Sequence, residues 1–229
     1  MPKKSMNQFF GGYAPLTQSN IFGSVYKLVI AGLLVVFGLT IFSSVAFADI
    51  SFGATTTAQN GAPSVNIGTS TIAIPASTAI GDFLIAGITF NGGTNTSFTS
   101  VPSDWVPIER TDNGTKVGMI TYYKIAGASE PSNYVWVINN TLNIPRMSGG
   151  IIRYTGVNTS SPIDVKSEND GDTDDPIASS VTTTQINDMV IVFYGVDDNE
   201  SFGPVTSATE RYDLTNSNSS GPGSAAFDF

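Results

Sequence analysis

The densest chemistry in the sequence is a run of side-chain oxygens, Glu168-Asn169-Asp170-Gly171-Asp172-Thr173-Asp174-Asp175-Pro176. Asp170, Asp172 and Asp174 alternate as in a calcium loop, where every second residue turns an oxygen toward one hard cation. The match to an EF-hand stops there, because Asp175 stands where that loop has its Gly and Val181 where it has its bidentate Glu. A second acidic stretch, Asp197-Asp198-Asn199-Glu200, follows an apolar run. If 178–184 and 189–196 form a hairpin through 185–188, both stretches leave the sheet at the same end. Asp170, Asp172, Asp174, Asp197 and Asp198 are then the candidate metal ligands and Ca²⁺ the expected cofactor. The competing reading is a solvated acidic loop.

Other chemistry is thinly supplied. There is no His and no Cys, which removes Ser-His-Asp and Cys-His nucleophiles and every His-ligated metal site. Glycoside hydrolysis needs two carboxyl groups flanking one bond, and the glutamates are few: Glu109, Glu130, Glu168, Glu200 and Glu210. Glu109 and Glu210 each precede an Arg and Glu130 sits in a turn, so surface pairing and turn formation explain them more simply. No catalytic residue is assigned. Sugar stacking would need exposed aromatic faces, for which Trp105, Trp136, Tyr122, Tyr134 and Tyr154 are the candidates. Most of these lie inside strand patterns and belong in a core. Trp105 is the exception, following the Pro102-Ser103-Asp104 turn at a strand start, and it is the expected ligand-binding residue.

The elements that must position these groups are strands. Only 13% of residues are charged, and Thr, Ser, Asn and Gly supply the polar surface, a composition that favours strands over helices. Apolar or β-branched runs recur at 64–74, 82–90, 105–111, 116–125, 133–139, 148–157, 178–184 and 189–196, separated by turn residues. Asn113-Gly114 suits a tight hairpin turn that needs positive φ. Two segments repeat one plan: Ile80-Gly81-Asp82 before 83–90, and Ile186-Asn187-Asp188 before 189–196. Each is a turn ending in Asp, then a continuous apolar strand, then a polar loop. Continuous apolarity implies a strand buried on both sides or central in its sheet, so these are read as the central strands of two facing sheets. The expected fold is all-β, an antiparallel β-sandwich of jelly-roll type.

The N-terminal fifth reads as an address. Lys27 abuts an apolar run, 28–42, followed by Ser43-Ser44-Val45-Ala46-Phe47-Ala48 and then Asp49. That is the layout of a secretory signal cleaved after Ala48, with an uncleaved membrane anchor as the rival because the stretch nearly reaches the ~20 residues a span needs. Either way, 49–229 is the β-sandwich domain and lies outside the cytoplasm, secreted or at the cell surface. From Asp49 onward seven basic residues face all nineteen acidic ones, which argues against nucleic acid as a partner. Contact with a membrane is expected only through the N-terminal segment.

Gly81–Ala86, Pro102-Ser103-Asp104-Trp105, Tyr122–Ala126 and Glu130–Tyr134, then Gly149–Val157 with Ser161-Pro162-Ile163-Asp164, and finally Ala208–Asp213 form an ordered succession. It resembles a β-sandwich domain recurring in bacterial extracellular, cell-surface and phage-associated proteins. The resemblance runs from about Ser64 and implies a non-catalytic module of surface, adhesive or carbohydrate-active proteins. Domains of that kind continue past the stretch equivalent to 224–229 with one or two closing strands, so an unpaired sandwich edge is expected here, a liability unless covered. The leading functional expectation is a non-enzymatic extracellular module for surface attachment or structure, stabilised by calcium. A carbohydrate-binding module is the alternative and a carboxylate-dependent glycoside hydrolase the third. The partner is a surface ligand, glycan or protein that the residues do not name.

Overall fold

The computed structural model describes residues 49–60, 65–142, 144–173, 176–216 and 221–229. The N-terminal segment and Asp174 lie outside them. Among the described residues eleven strands follow in order: β1 (Ser51–Gln59), β2 (Ile67–Ala73), β3 (Phe83–Asn91), β4 (Ser97–Ser100), β5 (Val106–Asn113), β6 (Val117–Ile125), β7 (Asn133–Asn139), β8 (Met147–Thr155), β9 (Ile191–Val196), β10 (Thr209–Leu214) and β11 (Gly223–Asp228). Every ladder among them is antiparallel. They form a five-stranded sheet, β1-β8-β3-β6-β5, and two three-stranded sheets, β2-β7-β4 and β10-β11-β9. The chain is therefore all-β, with antiparallel sheets packed face to face as in a β-sandwich.

The five-stranded sheet is covered on both faces. Side chains alternate along a strand, so Leu84, Ala86, Ile88 and Phe90 of β3 enter one core with Ile72, Tyr134, Trp136 and Ile138. Phe83 and Ile85 enter the other with Ile152, Tyr154, Tyr212 and Ala226. This is why β3 reads as unbroken apolar sequence. The partners of β3 are β6 and β8, so it is central as expected, although it does not hairpin with its predecessor.

The second copy of that plan behaves differently. β9 pairs with β11 and lies at the edge of its sheet, with β11 in the middle. The expected strand at 178–184 has no ladder, so the hairpin that was to bring the two acidic stretches together is not formed. Strands β1, β4, β10 and β11 were not anticipated from periodicity.

Two glycines set the approach of the outer sheet. Gly87 of β3 and Gly150 of β8 are register partners. A Cβ on Gly87 would stand 2.4 Å from the Phe193 ring, and one on Gly150 would stand 2.7 Å from the Tyr212 ring. The paired glycines make a trough into which rings from β9 and β10 descend.

Charges inside this fold are paired. Asp228 is 3% exposed; it accepts from the Tyr154 hydroxyl and the Arg211 Nε, each at 2.7 Å. Burial and the Asp228 carboxylate push the Tyr154 hydroxyl well above the usual phenol range. On the other face, Lys124 Nζ lies 3.1 Å from Glu130 Oε2 with both side chains nearly buried.

Candidate functional site

The sequence-predicted ligands sit as follows. Asp172 accepts from Lys116 Nζ at 2.7 Å and from Asn113 Nδ2 at 2.9 Å. These bonds, the lysine first, hold its carboxyl below the usual range. Asp170 is exposed in the same loop. Asp198 accepts from the Asn199 N–H at 2.8 Å. Asp197 is pushed up by desolvation and by the Asp198 charge, with the Lys116 ammonium opposing. The two acidic stretches thus approach one lysine beside the β5–β6 turn, and among the described residues no three carboxylates stand close enough together to hold a metal ion.

The aromatic candidates are core residues. Trp105, read as the exposed exception, is 6% exposed and packs edge-to-face on Tyr134 at 5.1 Å and Trp136 at 5.5 Å between ring centroids. Trp136, Tyr122, Tyr134 and Tyr154 are buried too. Trp105 precedes β5 and turns inward because the covered face of the sheet runs to its end. A stacking platform needs an open ring face, and none of the five offers one.

A different surface gathers exposed aliphatic side chains. At one end of the β2-β7-β4 sheet, Val65, Ile67, Leu142 and Ile144 are 82%, 48%, 72% and 52% exposed. Val65 and Ile67 stand at the start of β2 and Leu142 and Ile144 in the connection from β7 to β8, the two joined where the Asn140 N–H donates to the Asn66 carbonyl at 3.1 Å. Three asparagine amides fix the backbone below. Asn60 Nδ2 donates to the Pro145 carbonyl at 2.8 Å while its Oδ1 accepts from the Met147 N–H at 2.8 Å. Asn91 donates to the Ile144 carbonyl and accepts from the Arg146 N–H. The Asn140 Oδ1 accepts from the Leu142 N–H at 2.9 Å. A connection held this way at Leu142 and from Ile144 to Met147 lowers the ordering cost of presenting Leu142 and Ile144 on binding. Periodicity could not show this site: Val65 and Ile67 lie in the run 64–74, but Leu142 and Ile144 lie between runs; the available signal was an Asn at or just past the ends of β1, β3 and β7.

The other irregular region is the long connection from β8 to β9. Between it and the β5–β6 half of the five-stranded sheet lies a cavity of about 580 Å³, lined by Ile85, Ile108, Met119, Ile163, Val181 and Ile191 among others. Asp164 and Asp188 border it. Asp164 accepts from the Thr184 N–H at 2.6 Å and from the Thr184 hydroxyl, which draws its carboxyl down, whereas Asp188 is pushed up by desolvation and by Asp164 beside it.

Compared with known proteins, the chain matches no family model, no curated protein and no solved structure.

Proposed function

We propose that the chain is a non-enzymatic extracellular module, a β-sandwich of jelly-roll type, that attaches to a surface through the aliphatic loop end of its β2-β7-β4 sheet. The observation carrying this reading is the set Val65, Ile67, Leu142 and Ile144, exposed at the start of β2 and on the adjoining asparagine-held connection from β7 to β8. Scattered surface aliphatics need no explanation, but a cluster of them is a usual mark of a contact site. The signal-like N-terminal segment and the low charge of the chain support a contact outside the cytoplasm. Calcium enters as a stabiliser of the loop carrying Asp170, Asp172 and Asp174, and a melting temperature that falls on chelation would support it.

The test is retention of the purified chain on surfaces coated with peptidoglycan, neutral polysaccharide, acidic polysaccharide or phospholipid. Burying two aliphatic side chains contributes about 3–6 kcal/mol, so a Val65→Ser/Leu142→Ser variant should lose at least ~100-fold in retention on whichever surface holds the parent chain. Equal retention of parent and variant would dismiss the loop end as the contact. Turnover of any polysaccharide on the same panel would restore the hydrolase reading.

A further inference from the structure

We infer that the open edge of β9 is a strand-acceptor site and that its occupant is the chain's own segment 177–184, which closes over the cavity as an added strand. Four observations converge on this. Among the described residues β9 pairs with β11 alone, so its other edge carries unpaired backbone groups. The Phe229 N–H donates to the Val190 carbonyl at 3.0 Å. With the β9–β11 register this directs the backbone of Val190, Val192, Tyr194 and Val196 toward β11, and that of Ile191, Phe193 and Gly195 to the free side.

The cavity lies beside that free edge. The three-stranded sheet spans only part of the five-stranded one, and the face of β5 and β6 beyond β9 is covered by irregular chain with the 580 Å³ space beneath it. A strand hydrogen-bonded to β9 would run through this space and lay alternate side chains on Ile108, Val117 and Met119.

The occupant is already aligned. Pro176 to Ser179 line the cavity without a break, and from Ser179 onward the lining alternates: Ser179, Val181 and Thr183 face it, whereas Ser180, Thr182 and Thr184 do not, which is the two-residue alternation of an extended chain. Val181 to Thr184 are β-branched and suit a strand. No bond between backbone groups holds 177–184 among the described residues; it is tied instead by side chains, as where Asn169 Nδ2 donates to the Ile177 carbonyl at 3.0 Å.

The turn is also set. Asn187 has φ 66°, the left-handed backbone that hairpin loops use. With 184–188 as a five-residue loop closed by Thr183 and Met189, Val181 faces Ile191 and Ser179 faces Phe193. This register puts the cavity-lining residues of the segment on the same face as Phe193, which points at Gly87. It also matches them to the β9 residues whose backbone is free. Asp164, holding the Thr184 N–H and hydroxyl, pins the hairpin tip in this arrangement.

The chain has no Cys, so introduced pairs report pairing directly. Ser180→Cys/Val192→Cys is a facing pair in the closed register; Ser179→Cys/Val192→Cys places its sulfurs on opposite faces. Mild oxidation should close the first within the monomer and leave the second at least about ten times slower, as disulfide geometry demands. In the unsubstituted full chain, amide exchange at Ser179, Val181 and Thr183 should be slowed about 100-fold relative to Ser180 and Thr182. Equal closure of both pairs, or uniform fast exchange across 177–184, would overturn the inference. Disulfides linking two chains would give the edge to a second copy instead and overturn the assignment of the occupant.

Discussion

Replacing Glu130 with glutamine removes one half of the buried pair that ties β6 to the turn before β7. The Lys124 and Glu130 side chains are 9% and 8% exposed and 3.1 Å apart, and the Tyr134 hydroxyl and the Gly127 N–H also donate to the carboxylate. Leaving a buried ammonium without its partner costs about 3–5 kcal/mol. Asp104, 3.5 Å from Lys124 but 79% exposed, is a screened substitute contributing about 0–1 kcal/mol. The net expectation is a loss of about 3 kcal/mol, or ~6–12 °C in melting temperature for a domain of this size. Urea and thermal melts followed by near-ultraviolet circular dichroism measure it. Burial works against ionisation of Glu130, but the bonds from Tyr134, Gly127 and Lys124 outweigh it and hold the carboxyl below its usual range. A lowered carboxyl stabilises the fold above its unfolded pKa and loses that contribution as pH falls through the folded value. The gap between parent and variant should therefore be full at pH 7 and close as pH falls below about 4. Lys124→Met/Glu130→Gln should recover most of the loss, because no buried charge is then left without a partner and the glutamine amide can still accept from Tyr134 and Gly127. A single-variant loss under about 1 kcal/mol, or a double variant weaker than the single, would refute the reasoning.

Two further outcomes follow from the second core. Gly87→Ala should cost about 1–3 kcal/mol by overpacking against Phe193, read as a lower urea midpoint with an unchanged slope; an unaltered midpoint would mean the outer sheet does not rest on that glycine. Asp188→Asn should stabilise the chain at pH 7 and make no difference near pH 3. Asp188 is pushed up by desolvation and by Asp164, and a raised carboxyl forfeits stability as pH rises through its folded value. Melts across that range would show the difference growing with pH.

Much of the fold was legible because it rests on periodicity. The run 83–90 is apolar at every position since both faces of β3 are covered, and 133–139 alternates because β7 has one buried face. Strand β11, with Gly223, Ser224 and two alanines, carries no hydrophobic signal. It is buried by its neighbours on either side, which a local pattern cannot report. Trp105 misled for a related reason: a turn before a strand suggests exposure, yet the covered face of the sheet extends past the strand's first residue. The acidic stretches were expected to meet through a hairpin that is not formed; Asp172 is instead held by Lys116, which lies 56 residues before it and enters no spacing rule.

The order in which partners become available has a consequence for how the chain folds. Ser51 of β1 pairs with Thr155 of β8, so the first strand has no ladder to join until about a hundred further residues exist. Strand β3 has both its neighbours later in the sequence. No early piece can close the central sheet, and such non-local pairing is slow. A chain assembled this way stays open while it is being made, which is the condition that passage through a membrane, as its N-terminal segment proposes, would impose on it.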